Sequence, residues 1–248
     1  LTLAMSILPE EIPMAFTAFM AIGALRLMKL GVVVKQMKTV ETLGSATVIC
    51  TDKTGTITEN KMSLAKIFTL ESLRISTPEN ADAAEKELLQ IAMWASEPIP
   101  FDPMEVALHQ AYTNFSSADE RPNFTMIHEY PLSGKPPMMT HLFENNSGKR
   151  IIAAKGAPEA LMNVSNLSVE EKNKINDAIK VITAEGYRVL GVGESTFLGT
   201  NFPPSQQELS FTFKGIVAFY DPPKANISTV LEHFYQAGIK VKIVTGDN

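Results

Sequence analysis

Apolar positions change their spacing along this chain, and each change marks an expected element. Leu1 to Leu30 is almost continuously apolar, with ionisable groups only at Glu10, Glu11, Arg26 and Lys29. Its length suits a membrane-crossing helix of about 20 residues or more. It lacks the basic start and small-residue cleavage site of a secretory signal. Lys38 to Gly44 predicts a short helix, and Val48-Ile49-Cys50 a short buried strand that stops at the polar Asp52. Met62 to Leu73 reads as extended. Pro78 to Ala95 predicts a helix with Leu88, Leu89, Ile91 and Ala92 on its apolar face. A second helix opens at Asp102-Pro103-Met104-Glu105. Asp102 suits the N-cap, Pro103 the first turn and Glu105 the capping-box position.

Tyr130 begins as a strand and runs into a turn around Gly134-Lys135-Pro136. Ile151 to Ala154 predicts a buried strand, followed by a tight turn at Lys155-Gly156 and a helix start at Pro158. Ser168 and Glu171 form a capping box for a helix to Ala184, ended by Gly186. Arg188 to Val192 and Phe211 to Tyr220 read as strands, with a loop from Phe197 to Leu209 between them. Ile227 to Ala237 predicts a helix and Ile239 to Val244 a last strand.

Composition narrows the picture. A chain of 248 residues has room for one large domain or two smaller ones. The formal charge of −5, without any basic run, argues against a nucleic-acid partner. The single cysteine, Cys50, excludes an internal disulfide and suits a reducing compartment. Arg26, Lys29, Lys35 and Lys38 follow the apolar stretch, which places that end in the cytoplasm.

Candidate chemistry sits in four places. Asp52 stands where a strand ends, the position at which open α/β sheets bind ligands. Gly55 permits a tight turn beside it, and Thr54 and Thr56 add hydroxyls. A carboxylate so placed can attack phosphorus and form an aspartyl-phosphate; an ordinary polar turn after a strand has the same local look. Pro9-Glu10-Glu11-Ile12-Pro13 would interrupt the backbone ladder of the apolar helix. Freed carbonyls and glutamate oxygens would then make a hard cation site, or else the glutamates lie at the membrane surface. Lys155 beside Gly156 is either a nucleotide contact or a surface lysine at a turn. Thr245-Gly246-Asp247 follows the last strand and offers a hydroxyl and an amide to a phosphoryl oxygen, or is a plain turn.

The string Asp52-Lys53-Thr54-Gly55-Thr56, continued by Ile57-Thr58-Glu59-Asn60, resembles the phosphorylation motif of the P-type ATPases. Lys155-Gly156-Ala157-Pro158-Glu159 and Asp221-Pro222-Pro223-Lys224 resemble further strings of that family, in the same order. Pro9 to Pro13 resembles the fourth transmembrane helix of its calcium-type branch, with Glu10 at the ion-ligand position and Glu11 in place of the usual glycine. The resemblance implies Asp52 as the phosphorylated residue, with Lys53, Thr54, Thr245, Gly246 and Asp247 around it. It implies ATP as donor, held by Glu105, Lys135, Lys155, Gly156 and Arg188, and Mg2+ held by Asp52 and Thr54. Glu10 would hold the transported cation, Ca2+ or a related ion. Leu132 stands where many relatives carry an adenine-stacking phenylalanine. Lys224 replaces an arginine, keeping the charge but not the planar fork.

The implied fold is α/β. It has an incomplete haloacid-dehalogenase-like (Rossmann-like) phosphorylation domain, a large inserted α+β nucleotide-binding domain and an N-terminal transmembrane helix. Expected bounds are 1–30 for the transmembrane helix, 31–59 for the first part of the phosphorylation domain, 60–219 for the nucleotide-binding domain and 220–248 for the second, truncated part. The implied partners are ATP, a transported cation and a lipid bilayer, in a multi-pass membrane protein with cytoplasmic catalytic domains. The chain reads as a fragment that does not pump alone. Two other readings are a soluble phosphatase with a cap domain and a non-catalytic nucleotide-binding regulator. Such phosphatases carry a second aspartate two positions after the nucleophile, where this chain has Thr54.

Overall fold

The computed structural model describes residues 11–36 and 38–244. The chain divides into two compact units. One comprises Leu1–Ile57 with Lys224–Asn248, the other Thr58–Pro223.

The first unit opens with α1, Glu11–Lys29. Pro13 lies near the start of its described part. At 1.5 Å per residue α1 is about 28 Å long, close to the thickness of a bilayer core. Ile12, Met14, Phe16, Phe19, Leu25 and Met28 are exposed along it. Ile12–Lys29 is long and apolar enough to cross a membrane. A short helix α2, Lys38–Gly44, packs on α1 where Gly23 meets Val40.

Strand β1, Val48–Asp52, is followed by an irregular turn, Lys53–Ile57. It pairs in parallel with the unit's last strand, placing Asp52 opposite Val244. The expected burial of the Val48-Ile49-Cys50 run is not found: Val48 is 44% exposed and Cys50 is exposed. Two strands have too few neighbours to cover their own side chains.

The second unit is built on one antiparallel sheet. Its strands are β2 Ser63–Thr69, β3 Ile75–Ser76, β4 Phe124–Ser133, β5 Met138–Asn145, β6 Arg150–Gly156, β7 Arg188–Ser195 and β8 Phe211–Tyr220. Their order is β3-β2-β8-β7-β6-β5-β4. Helices α3, Ala83–Trp94, and α4, Pro103–Phe115, pack on one another and cover one face. There Leu88, Trp94, Leu108 and Tyr112 meet Ile67, Phe143, Val192, Val217 and Phe219. Helices α5, Pro158–Asn163, and α6, Val169–Ala184, cover the other face. Leu161, Ile175 and Ile182 there meet Leu142, Ile152, Phe213, Ile216 and Ala218. Both faces of β8 are therefore buried, and its sequence is apolar almost throughout. Each fully buried Leu, Ile or Phe contributes about 1.5–3 kcal/mol.

Local signals explain the helix ends. Asp82 caps α3 and shares a capping box with Glu85, after a single 3-10 turn at Pro78–Asn80. That turn and the cap interrupt the one helix expected from Pro78. Ser168 and Glu171 cap α6 as expected, and Gly186 ends it at φ +84°. Asp102 caps α4 by accepting from the Met104 and Glu105 amides. The carboxylate of Glu105, expected to complete a capping box there, pairs with Lys155 instead. Within the expected loop, Gln206 is 1% exposed. Its side chain accepts from Thr140 and donates to the Met138 carbonyl, fastening the loop to the sheet. The first unit closes with α7, Ile227–Gln236, and β9, Lys240–Val244.

Candidate functional site

In the first unit, Asp52 ends β1 with its side chain exposed. Gly55 follows at φ +76°, a left-handed turn that favours glycine. The Lys224 ammonium donates to the Gly55 carbonyl at 2.9 Å, and the Lys224 amide to the Ile57 carbonyl at 2.9 Å. The turn after Asp52 is thus held from the returning chain. Lys53 and Thr54 lie in this turn, partly buried. Thr245, Gly246 and Asp247 continue from the strand beside Asp52 but lie outside the described residues, as does Glu10.

In the second unit, Lys155 lies at the end of β6 and is 5% exposed. Its ammonium donates to Glu105 on α4 at 2.5 Å and to the Ser96 hydroxyl at 2.8 Å. Burial pulls the Lys155 ammonium below the usual lysine range, and the Glu105 carboxylate opposes that shift. Here the surface-lysine reading fails, since only a paired ammonium is tolerated in such a position.

Gly156 is required by packing. A Cβ there would lie 2.5 Å from the Met138 Cα and the Pro137 carbonyl oxygen. Lys135 is exposed in the turn between β4 and β5. That turn meets the end of β6, where the Ala157 amide donates to the Pro137 carbonyl at 2.9 Å. Val192 stands opposite Lys155 in register, and Arg188 is an even number of residues earlier on β7. It therefore shares the face, about 13 Å along the strand. Glu105 and Lys155 are in direct contact with Gly156 beside them; Lys135 and Arg188 stand at the same end of the sheet without joining that contact. The arrangement places one deeply seated, carboxylate-paired lysine and two outlying basic residues at one end of the strands.

Three neighbours gave no signal in the sequence. His141, wholly buried on β5, points Nδ1 at the Ser96 carbonyl, 3.0 Å away. Glu97 lies 3.9 Å from its Nε2. Burial pushes His141 below the usual histidine range. Ser96, Glu97 and His141 come together only across the fold, so local spacing could not reveal them. His109 on α4 faces the Arg121 guanidinium at 3.0 Å, and burial followed by that positive charge lowers its pKa.

Residues 101–226 match the family described as P-type ATPase, cytoplasmic domain N. The whole chain aligns with the calcium-transporting ATPase 1 of Saccharomyces cerevisiae at 29% identity, covering 30% of that protein. It aligns over its whole length with the calcium-transporting ATPase of Bacillus subtilis at 28% identity, covering 32% of that protein. For calcium-transporting ATPase 1 of Schizosaccharomyces pombe the identity is 28% over the whole chain and 30% of the relative. The chain spans about a third of the length of the curated relatives it matches.

Proposed function

Because the chain belongs to the P-type ATPases, we propose that it is the catalytic portion of an ATP-driven cation pump that works through an aspartyl-phosphate. One observation carries the reading: an exposed carboxylate, Asp52, at the carboxyl end of a parallel strand, followed by a turn locked at Gly55. In this reading the first unit, apart from α1, is a haloacid-dehalogenase-like phosphorylation domain. The second, inserted between its parts, is the nucleotide-binding domain.

ATP is held at the sheet end of the second unit. Lys155, Lys135 and Arg188 supply positive charge, Glu105 sets the position of Lys155, and Gly156 lets the chains pack closely. An Asp52 oxygen attacks the γ-phosphorus. The bond from that phosphorus to the bridging oxygen breaks, and ADP leaves with the electron pair. Lys53, Thr54, Thr245, Gly246 and Asp247 orient the transferred group. Asp52 and Thr54 offer hard oxygens that fit Mg2+, which when bound offsets charge on the phosphoryl group. Thr54, where a phosphatase has an acid, leaves the acyl-phosphate to live longer.

Helix α1 sits in the bilayer of a multi-pass protein, with Glu10 a ligand of the transported cation, Ca2+ or a related ion. The phosphorylation and nucleotide-binding domains face the cytoplasm. The calcium-transporting names of the relatives support this choice over the phosphatase and regulator readings. Ion-stimulated ATP hydrolysis by the full-length protein in membrane vesicles, across a cation panel, tests it. Asp52→Asn should abolish the ion-stimulated turnover and the acid-stable phosphoenzyme; turnover that survives the substitution defeats the proposal.

A further inference from the structure

Three ligand atoms converge in the second unit that the phosphoryl transfer does not use. His141 Nε2 and one carboxylate oxygen each from Glu97 and Glu129 lie within 4.8 Å of one another. His141 is wholly buried, and its Nε2 has no hydrogen-bond partner. The Glu97 oxygen at 3.9 Å is beyond hydrogen-bond reach. At the other ring nitrogen stands the Ser96 carbonyl. A carbonyl only accepts, so Nδ1 carries the proton and the lone pair of the neutral ring sits on Nε2. One lone pair and two carboxylates thus face one another with no donor between them. Acceptors alone repel until a cation enters.

We infer that Glu97, Glu129 and His141 form a binding site for a divalent transition ion of the Zn2+ class. Imidazole nitrogen with two carboxylates suits such an ion, whereas Ca2+ and Mg2+ take oxygen shells. The carbonyl behind Nδ1 is the partner that commonly orients a metal-binding histidine. Ligands about 2.1 Å from a tetrahedral Zn2+ stand about 3.4 Å apart. Glu129 is exposed and Glu97 half-buried, so both carboxylates can turn inward while the ring of His141 stays in place. A fourth position is left for water. The Lys155 ammonium, whose charge reaches His141, is already engaged by Glu105 and the Ser96 hydroxyl.

Zn2+ binding is measured on the whole 248-residue chain in detergent, without nucleotide, by competition with a chromophoric chelator. One tight equivalent is expected, and Co2+ in its place should show the visible absorption of a tetrahedral site. His141→Ala should lower the affinity roughly tenfold or more. Glu129→Gln, at an exposed position that the fold does not depend on, should do the same with an unchanged melting temperature. His233→Ala, on the exposed side of α7, should leave binding as it was. Wild-type affinity in both the His141 and Glu129 variants, or equal losses on removing His233, overturns the assignment.

Discussion

Lys155 shows what a single residue can and cannot announce. Its string, Lys155 to Glu159, marked it as a ligand contact, but its burial and its pairing with Glu105, 50 residues earlier on α4, arise only in the folded unit. Removing one partner of such a buried pair leaves an uncompensated charge, at a cost of about 3–5 kcal/mol. Glu105→Leu and Lys155→Met should each destabilise the protein on this scale. The double variant Glu105→Leu with Lys155→Met should recover much of the loss, because no charge is left buried. Urea unfolding of the cycle measures this, and additive losses would refute it. His109 carries a pH dependence of defined sign. Its native pKa lies below the unfolded value of about 6.5. Below that pH the unfolded chain takes up a proton that the native state refuses. Stability therefore falls as pH drops through about 6.5 toward the native pKa, with a slope of at most about 1.4 kcal/mol per pH unit for this one group. Urea midpoints measured against pH should show a shallower acid limb in His109→Gln.

At the scale of elements, legibility followed burial on two faces and capping chemistry. β8 and α6 could be read because apolar runs and a Ser-Glu box depend on near neighbours in sequence. The strand at Val48 could also be read, but its burial could not, since that depends on how many strands lie beside it. Where two strands come close, glycine is demanded by contacts that sequence spacing does not display. A Cβ on Gly215 would lie 2.1 Å from the Phe68 carbonyl oxygen, where the β2–β8 pairing ends at Thr69 and Gly215. Backbone must move to admit it, so Gly215→Ala should lower stability by about 1–3 kcal/mol or more. Gly44 is the opposite case: it lies in the last turn of α2 with no atom within 4 Å of its would-be Cβ. Gly44→Ala should be neutral or stabilising by up to about 1 kcal/mol. Thermal melts of the two variants should move in opposite directions, or Gly44→Ala should not move at all.

At the scale of the whole molecule, the chain enters and leaves the second unit at adjacent points. Thr58 and Pro223 form a bridge, and the Glu59 amide donates to the Pro222 carbonyl at 2.9 Å. Asp221 fastens this neck, accepting from the Thr58 hydroxyl and, at 3.0 Å, from the Lys61 amide. The seven-stranded sheet and both of its apolar cores lie between these points. A unit that contains its own core and whose ends already meet loses little when its flanks are cut. Residues 58–223 expressed alone should therefore fold, melt in one cooperative transition and bind nucleotide with an affinity that falls in Lys155→Met. Asp221→Ala should weaken the excised unit by about 1–3 kcal/mol, because two donors at the neck lose a charged acceptor. Its nucleotide affinity should stay the same, since Lys155 and Glu105 keep their contacts. Chemical denaturation read beside nucleotide titration separates the two effects. A fragment that fails to fold would mean that this core draws its stability from outside Thr58–Pro223.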